Sequence, residues 1–170
     1  MVFSDQHEDR EMEERMTPPM RGLYFEEFEV GKQVISPGRT VTEADVLSFA
    51  GLSGDFNSIH TDAEFSKDTP FEQRVAHGLL GLAIVSGLAV RTGILEGTVM
   101  AFREIIGWKF SLPVFFGDTL HIVIEVEEKK SLPRLGGGAL ILSIDVRNQS
   151  DETVMKGRWN VLVQSKPEEA

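Results

Sequence analysis

Asp55, Asn57 and His60 stand within a few residues of one another in the segment Leu52-Ser-Gly-Asp-Phe-Asn-Ser-Ile-His60. Imidazole titrates near neutrality and a carboxylate stays charged there, so an Asp and a His brought together on a loop can position a water and take its proton. The same residues have a plainer use, in which Asp55 and Asn57 cap a turn and His60 makes a structural hydrogen bond. Further along, His77-Gly78 heads the most apolar stretch of the chain. If that stretch is a helix, Gly78 falls in its first turn, where backbone N–H groups lack an intrahelical acceptor and the helix dipole adds positive character. Glycine there admits a ligand oxygen that gains negative charge. On its own the pair reads more simply as a turn glycine and a packed ring. Together, the two features supply the parts needed to add water across a double bond conjugated to a carbonyl. A base activates water for attack at the β-carbon, the amide holds the enolate-like oxygen, and an acid protonates the α-carbon.

The elements that would position these residues follow from periodicity. Thr42-Glu-Ala-Asp45 resembles a capping box, with Val46, Leu47, Phe49 and Ala50 on one helical face and Gly51 and Gly54 as stops. Thr61-Asp-Ala-Glu64 reads as a second box, opening about two turns that end before Thr69-Pro70. Leu79 to Val90 has no polar face, which predicts a core helix over 79–92. Its small residues, Gly81, Ala83, Ser86, Gly87 and Ala89, allow another element to approach closely and argue against a buried strand. The last third changes to period two. Leu120, Ile122, Ile124 and Val126 alternate with wetter neighbours, as do Leu140, Leu142, Ile144 and Val146, and then Trp159, Val161 and Val163. Val99–Glu104, Gly107–Leu112 and Gln33–Thr40, broken at Pro37, read as further strands. The expected order is strand, small helices, one buried helix, and four or five strands in an antiparallel meander. Only the 79–92 helix, about 21 Å long at ~1.5 Å per residue, can cover the apolar face of such a sheet. The fold class is α+β, a sheet wrapped around one long central helix.

Length and composition set the bounds. The chain has 170 residues, which suits one domain, and a chain of this size buries roughly 70% of its unfolded surface. The absence of cysteine removes disulfide scaffolds, thiol nucleophiles and thiolate metal sites. With 27 acidic against 17 basic residues and a net charge of −10, duplex nucleic acid is not an expected partner. The apolar stretch is too short to span a bilayer, so no membrane partner is expected. The N-terminus lacks a basic segment followed by an apolar run, and a soluble cytoplasmic protein is the default expectation. Residues 1–21 are charged and closed by Pro18-Pro19, which predicts a disordered tail with room for a short surface helix over Asp9–Met16. A single domain is expected over 22–165, followed by a polar end over 166–170.

Gly54-Asp55-Phe56-Asn57-Ser58-Ile59-His60 resembles the hydratase motif of the MaoC-like, (R)-specific enoyl-CoA hydratase/dehydratase family. Ala76-His77-Gly78-Leu79 and the segment from Phe110 through Pro113 and Gly117 to Asp118 are similar to that family's helix start and strand-leading segment. The three occur in the family's order and span most of residues 25–163. The resemblance implies the hotdog fold, which agrees with the architecture reached from periodicity. It implies hydration of a trans-2-enoyl-CoA to the (R)-3-hydroxyacyl-CoA, or the reverse dehydration, with no cofactor other than the coenzyme A carried by the substrate. By the same resemblance Asp55 and His60 form the catalytic dyad, the Gly78 N–H polarises the thioester carbonyl, and Asn57 belongs to the substrate site as an orienting residue. Ser58 departs from the pattern, standing where the family usually has proline. A homodimer or higher homo-oligomer is implied, with the acyl-CoA channel along the subunit boundary, and exposed edges and one uncovered sheet face argue the same way.

Other readings give weaker sites. His60, Asp62 and Glu64 could be taken as metal ligands, but Glu64 belongs to a helix cap and no metal is expected. His121 reads as structural or surface, and His7 lies in the tail. Trp108, Phe110, Phe115 and Phe116 read as core or subunit contacts. Arg91, Arg103, Lys109, Arg147 and Arg158 could meet coenzyme A phosphates, and nothing in the sequence chooses among them. The alternatives to the hydratase are a catalytically inactive acyl-CoA-binding hotdog subunit and an enzyme of the same fold acting on another thioester. The latter class includes branched or dicarboxylic enoyl-CoA, acyl-carrier-protein substrates and thioesterase chemistry.

Overall fold

The computed structural model describes residues 22–167. The expected tail over 1–21, with its short helix, and residues 168–170 of the polar end lie outside them.

After a 3-10 turn at Phe25–Glu27 come strands β1 (Gln33–Ile35) and β2 (Arg39–Thr40). Three short helices follow: α1 (Glu43–Ser53), α2 (Ser58–Thr61) and α3 (Ala63–Lys67). The long helix α4 (Gly78–Arg91) leads into β3 (Val99–Phe110), β4 (Thr119–Leu132), β5 (Gly137–Arg147) and β6 (Thr153–Gln164). The six strands form one antiparallel sheet ordered β1-β4-β5-β6-β3, with β2 also on β4. Only β4, β5 and β6 make the expected meander. β3 crosses to the far side of β6, so the chain contributes its fifth sheet position before its second.

The alternation read from sequence is the core. Leu120, Ile122, Ile124, Val126, Leu140, Leu142, Ile144 and Val146 are buried, as are Trp159, Val161 and Val163. They face Leu80, Ile84, Val85, Leu88 and Ala89 of α4, and the sheet wraps the helix in the hotdog arrangement. A methyl group on Gly81 would lie 2.6 Å from Met155 Cε, so the small residue sets how closely helix meets sheet. The helix is not buried all round: Leu79, Ala83, Ser86, Gly87 and Val90 form an exposed stripe. Val99–Glu104 and Gly107–Leu112, expected as separate strands, merge into the one strand β3, except that Ser111 and Leu112 lie past its end. Three register shifts against β6 interrupt its alternation, and Gly107 in its middle has φ +59°.

Local signals place the helices. Thr42 Oγ1 accepts from Asp45 N while Asp45 Oδ2 accepts from Thr42 N, a closed capping box with Asp in the glutamate's place. Gly51 lies inside α1, and Gly54 alone stops it, in the left-handed conformation at φ +78°. The box expected at Thr61 shifts by one residue: Thr61 ends α2, and the Asp62 carboxylate caps α3 through the N–H groups of Glu64 and Phe65. Among the described residues no helix is long and apolar enough to cross a membrane.

Candidate active site

The loop after α1 is built from hydrogen bonds between near neighbours. Asp55 N–H donates to Ser53 Oγ at 3.2 Å, and Asp55 Oδ1 accepts from Asn57 N–H at 3.2 Å. Asn57 Oδ1 accepts from Ile59 N–H at 3.3 Å, making Asn57 the N-cap of α2. Its side chain therefore orients the helical turn that carries His60. Each of these residues is of the type that competes for backbone hydrogen bonds and favours caps and turns.

His60 is held at the end of that turn. The residue is 8% exposed, and Nδ1 lies 2.7 Å from the carbonyl oxygen of Val75. A carbonyl only accepts, so Nδ1 carries the proton, and in the neutral ring Nε2 keeps a lone pair. Val75 is fixed in turn: its N–H donates to Ile59 O at 3.1 Å, and it bridges to Phe115. Ala76 N–H donates to Val114 O at 2.8 Å. The segment preceding β4 is tied down by the Asp118 carboxylate, which accepts from Phe115 N–H at 2.7 Å and from the Gln149 amide at 2.8 Å. The third of the sequence similarities thus braces the first two.

His77 is the N-cap of α4 and Gly78 its first helical residue. The Gly78 N–H has no intrahelical acceptor by the geometry of a helix terminus. A Cβ at this position would lie 3.0 Å from the Phe110 ring, so any larger residue here requires that ring to shift. His60, His77 and Gly78 all line one cavity of about 470 Å³. Ile59, Phe71, Phe110, Leu112 and Met155 give it largely apolar walls, in the size range of small-molecule sites. The Asp55 carboxylate, a His60 ring nitrogen and a His77 ring nitrogen lie within 4.8 Å of one another beside it.

The structure therefore brings Asp55 and His60 together, puts Gly78 on the same cavity as His60, and sets Asn57 at the root of the loop. It adds His77, which the sequence presented as a packed ring. The two imidazoles stack with centroids 3.7 Å apart and planes at 30°. The only sequence signal for this was the place of His77, directly before the helix whose first residue lines the cavity.

Asp55, His60 and His77 are close enough to share a cation. His77 Nε2, 4.0 Å from Asp55 Oδ2, donates its proton to the main-chain oxygen of Asp55 at 2.9 Å, and a metal ion there would have to displace that bond. Asp62 and Glu64 are engaged elsewhere, Asp62 as the cap of α3 and Glu64 with Lys67 at 2.7 Å. None of Arg91, Arg103, Lys109, Arg147 and Arg158 lines the cavity. Arg147 pairs with Asp145 and Asp151, and Arg158 with Glu127. His121 lies 3.6 Å from Asp151, away from the site.

Residues 27–140 match the family described as MaoC like domain. The 3-hydroxybutyryl-CoA dehydratase of Methylorubrum extorquens is 33% identical over 153 residues, which cover 90% of this chain and 92% of that protein. Among solved structures, the monoamine oxidase regulatory protein of Archaeoglobus fulgidus superposes with a TM-score of 0.78 at 36% identity, covering 86% of this chain and 97% of that one. The unliganded R-hydratase of Pseudomonas aeruginosa does so at 0.73 and 30%, covering 88% and 92%.

Proposed function

This chain belongs to the MaoC-like dehydratase family and has the hotdog fold, and on that premise we propose that it is a hydro-lyase. It adds water to a trans-2-enoyl-CoA to give the (R)-3-hydroxyacyl-CoA, or runs the same step in reverse. The observation that carries this reading is the state of His60. Its Nδ1–H is committed to Val75 O, which leaves Nε2 of the neutral ring as an acceptor, and His60 and Gly78 line one cavity.

In the forward direction Asp55 and His60 hold a water between them, and the dyad takes a proton from it. The water oxygen bonds to C3 of the enoyl group as the C2=C3 π electrons move onto C2 and the thioester carbonyl. The Gly78 N–H stabilises the enolate-like oxygen, aided by the dipole of α4. The proton returned to C2 completes the addition, so one water supplies both hydroxyl and hydrogen, and addition to one face fixes the (R) product. No step needs a redox or metal cofactor. The apolar walls suit the acyl chain, while the coenzyme A portion must lie outside the cavity.

A second copy of the chain belongs to the same proposal. Among the described residues β3 ends the sheet with an unpaired edge, and it exposes Met100, Phe102 and Ile105. A long, apolar, unpaired edge is a template for another strand. A dimer is the expected species by light scattering, and an active monomer would remove this part.

The test of the function is loss of the enoyl-thioester absorbance with crotonyl-CoA and longer homologues, with chiral analysis of the product. Asp55→Asn and His60→Gln should each lower kcat by about 10²- to 10⁴-fold. Asp55→Asn should melt close to the parent, because that side chain is about half exposed, whereas His60→Gln, at a buried site, is read for turnover only where circular dichroism shows it folded. Wild-type turnover in both would overturn the dyad.

A further inference from the structure

The mechanism above leaves one buried titratable side chain without a task. His77 is 3% exposed, and its ring is in contact with His60 on one side and approaches Phe49 at 5.0 Å. Its Nε2–H donates to the Asp55 carbonyl, so in the neutral ring Nδ1 bears a lone pair. That nitrogen is buried and has no hydrogen-bond partner among the described residues. Burying an unsatisfied polar atom is unfavourable, and a phenyl ring of similar size would fill the same space without it. Packing alone does not account for a histidine here.

What the imidazole adds over a phenyl ring is the bond to Asp55. That bond runs from the head of α4 across to the loop, joining two parts of the chain that sequence separates by more than twenty residues. On the other side of the Asp55 Cα, the N–H is tied to Ser53 Oγ. The main chain of Asp55 is therefore fixed on both flanks while its side chain stays about half exposed, at 53%. The stacked face of the same ring sets where the His60 imidazole lies.

We propose that His77 is a positioning residue for the reaction: its Nε2–H fixes the Asp55 main chain and its ring face seats His60, so that one side chain sets the carboxylate-to-imidazole geometry. This rests on the dyad reading above. Although His77 borders the cavity, its ring proton is committed to Asp55, and it acts through the other two residues.

Three variants separate the hydrogen bond from the stack. His77→Phe keeps a ring and removes the donor. His77→Gln removes the ring and puts an amide nitrogen near the place of Nε2. His77→Asn carries an amide too short to reach Asp55. Misplacement of a reacting group by about 1 Å can lower a rate by about 10²-fold, so His77→Phe should lower kcat by that order, with KM for crotonyl-CoA changed by no more than about twofold. His77→Gln should recover at least a tenth of the parent kcat. If His77→Phe does not fold by circular dichroism and melting, His77→Asn replaces it with the same expected loss. Parent kcat in the folded donor-less variant overturns the proposal, as does a His77→Gln variant no better than His77→Asn, which lacks both the ring and the reach to Asp55. Asp55→Asn in the same assay keeps the two readings apart. An inactive Asp55→Asn beside a fully active His77→Phe rejects the positioning role alone, whereas an active Asp55→Asn rejects the dyad itself.

Discussion

The loop from Gly54 to His60 and the strands β4, β5 and β6 are ordered by different physics. In the strands, one face is removed from water, and the buried residues recur with period two from Leu120 to Val126 in β4, from Gly138 to Val146 in β5 and from Trp159 to Val163 in β6. In the loop almost nothing is buried before His60, and shape comes from Ser53, Asp55 and Asn57 bonding to backbone groups two or three positions away. Burial sums over many atoms and sets stability, whereas a few directional bonds set geometry and add little net free energy each. Under the proposed mechanism the molecule separates what keeps it folded from what lets it react, and substitutions in the two regions should move different observables.

Gly78→Pro gives the largest effect expected from a substitution that leaves the dyad untouched. Proline is accepted at the first position of a helix, and His77, at φ −61° and ψ 135°, already has the extended conformation that a following proline requires. The fold should survive, with the exposed Phe110 side chain moving aside. The amide donor is gone, and kcat should fall by about 10²- to 10³-fold. Steady-state kinetics beside a thermal melt checks both halves, and an unchanged kcat would show that the oxyanion is held elsewhere.

Ile84→Ala reverses the pattern. Ile84 is 2% exposed on the inner face of α4, and its truncation should lower the unfolding free energy by about 2–5 kcal/mol. Denaturant titration measures this, and turnover well below the lowered melting temperature should stay near that of the parent. A large loss of kcat in the folded variant would mean that packing beneath the helix controls the position of its first amide, and the separation of regions would fail.

The same contrast explains what could be read from residues alone. The alternation of Leu120 to Val126 and of Leu140 to Val146 identifies buried strand faces because it repeats, and the exclusion of water enforces it at every repeat. β3 was legible only in pieces, since its bulges reset the alternation and one edge of it faces no strand among the described residues. Its place beside β6 had no local signal, because pairing between distant strands is settled by the finished sheet. In the site, Asp55, Asn57, His60 and Gly78 were legible as types suited to water chemistry in a recognisable order. His77 was not, because its distinguishing features are a stack with His60 and a bond to Asp55, both of which exist only after α4 is docked.

The capping box of α1 offers a smaller effect with a sign that depends on pH. Burial opposes ionisation of Asp45, but the Thr42 N–H and hydroxyl and the Arg39 guanidinium outweigh it and hold the carboxyl below its ordinary value of 3.8. A depressed pKa in the folded state adds stability above the unfolded value and loses it as pH falls through the folded one. Thr42→Ala should lower the unfolding free energy by about 1 kcal/mol near neutrality. The difference from the parent should shrink below pH 3.8, where the carboxyl of the unfolded chain is already protonated. Melts from neutral to acid pH follow it, and a gap that widens toward acid would contradict this account of the cap.

Ser58→Pro should have the smallest effect and asks whether the loop can gain stability without altering its geometry. Ser58 is the first residue of α2, where a helix needs no N–H donor, and Asn57 precedes it at φ −54° and ψ 137°, a conformation open to a residue before proline. The bonds that shape the loop use the Asn57 side chain, the Asn57 and Ser58 carbonyls and the His60 N–H, and none uses the Ser58 hydroxyl or N–H. Proline at a compatible position acts by restricting the unfolded chain and typically adds about 0.4–1 kcal/mol. The variant should melt slightly higher with kcat and KM unchanged. If turnover rises while stability does not, serine leaves the approach of Asp55 to His60 looser than the static geometry indicates, and the loop would owe its order to more than its hydrogen bonds.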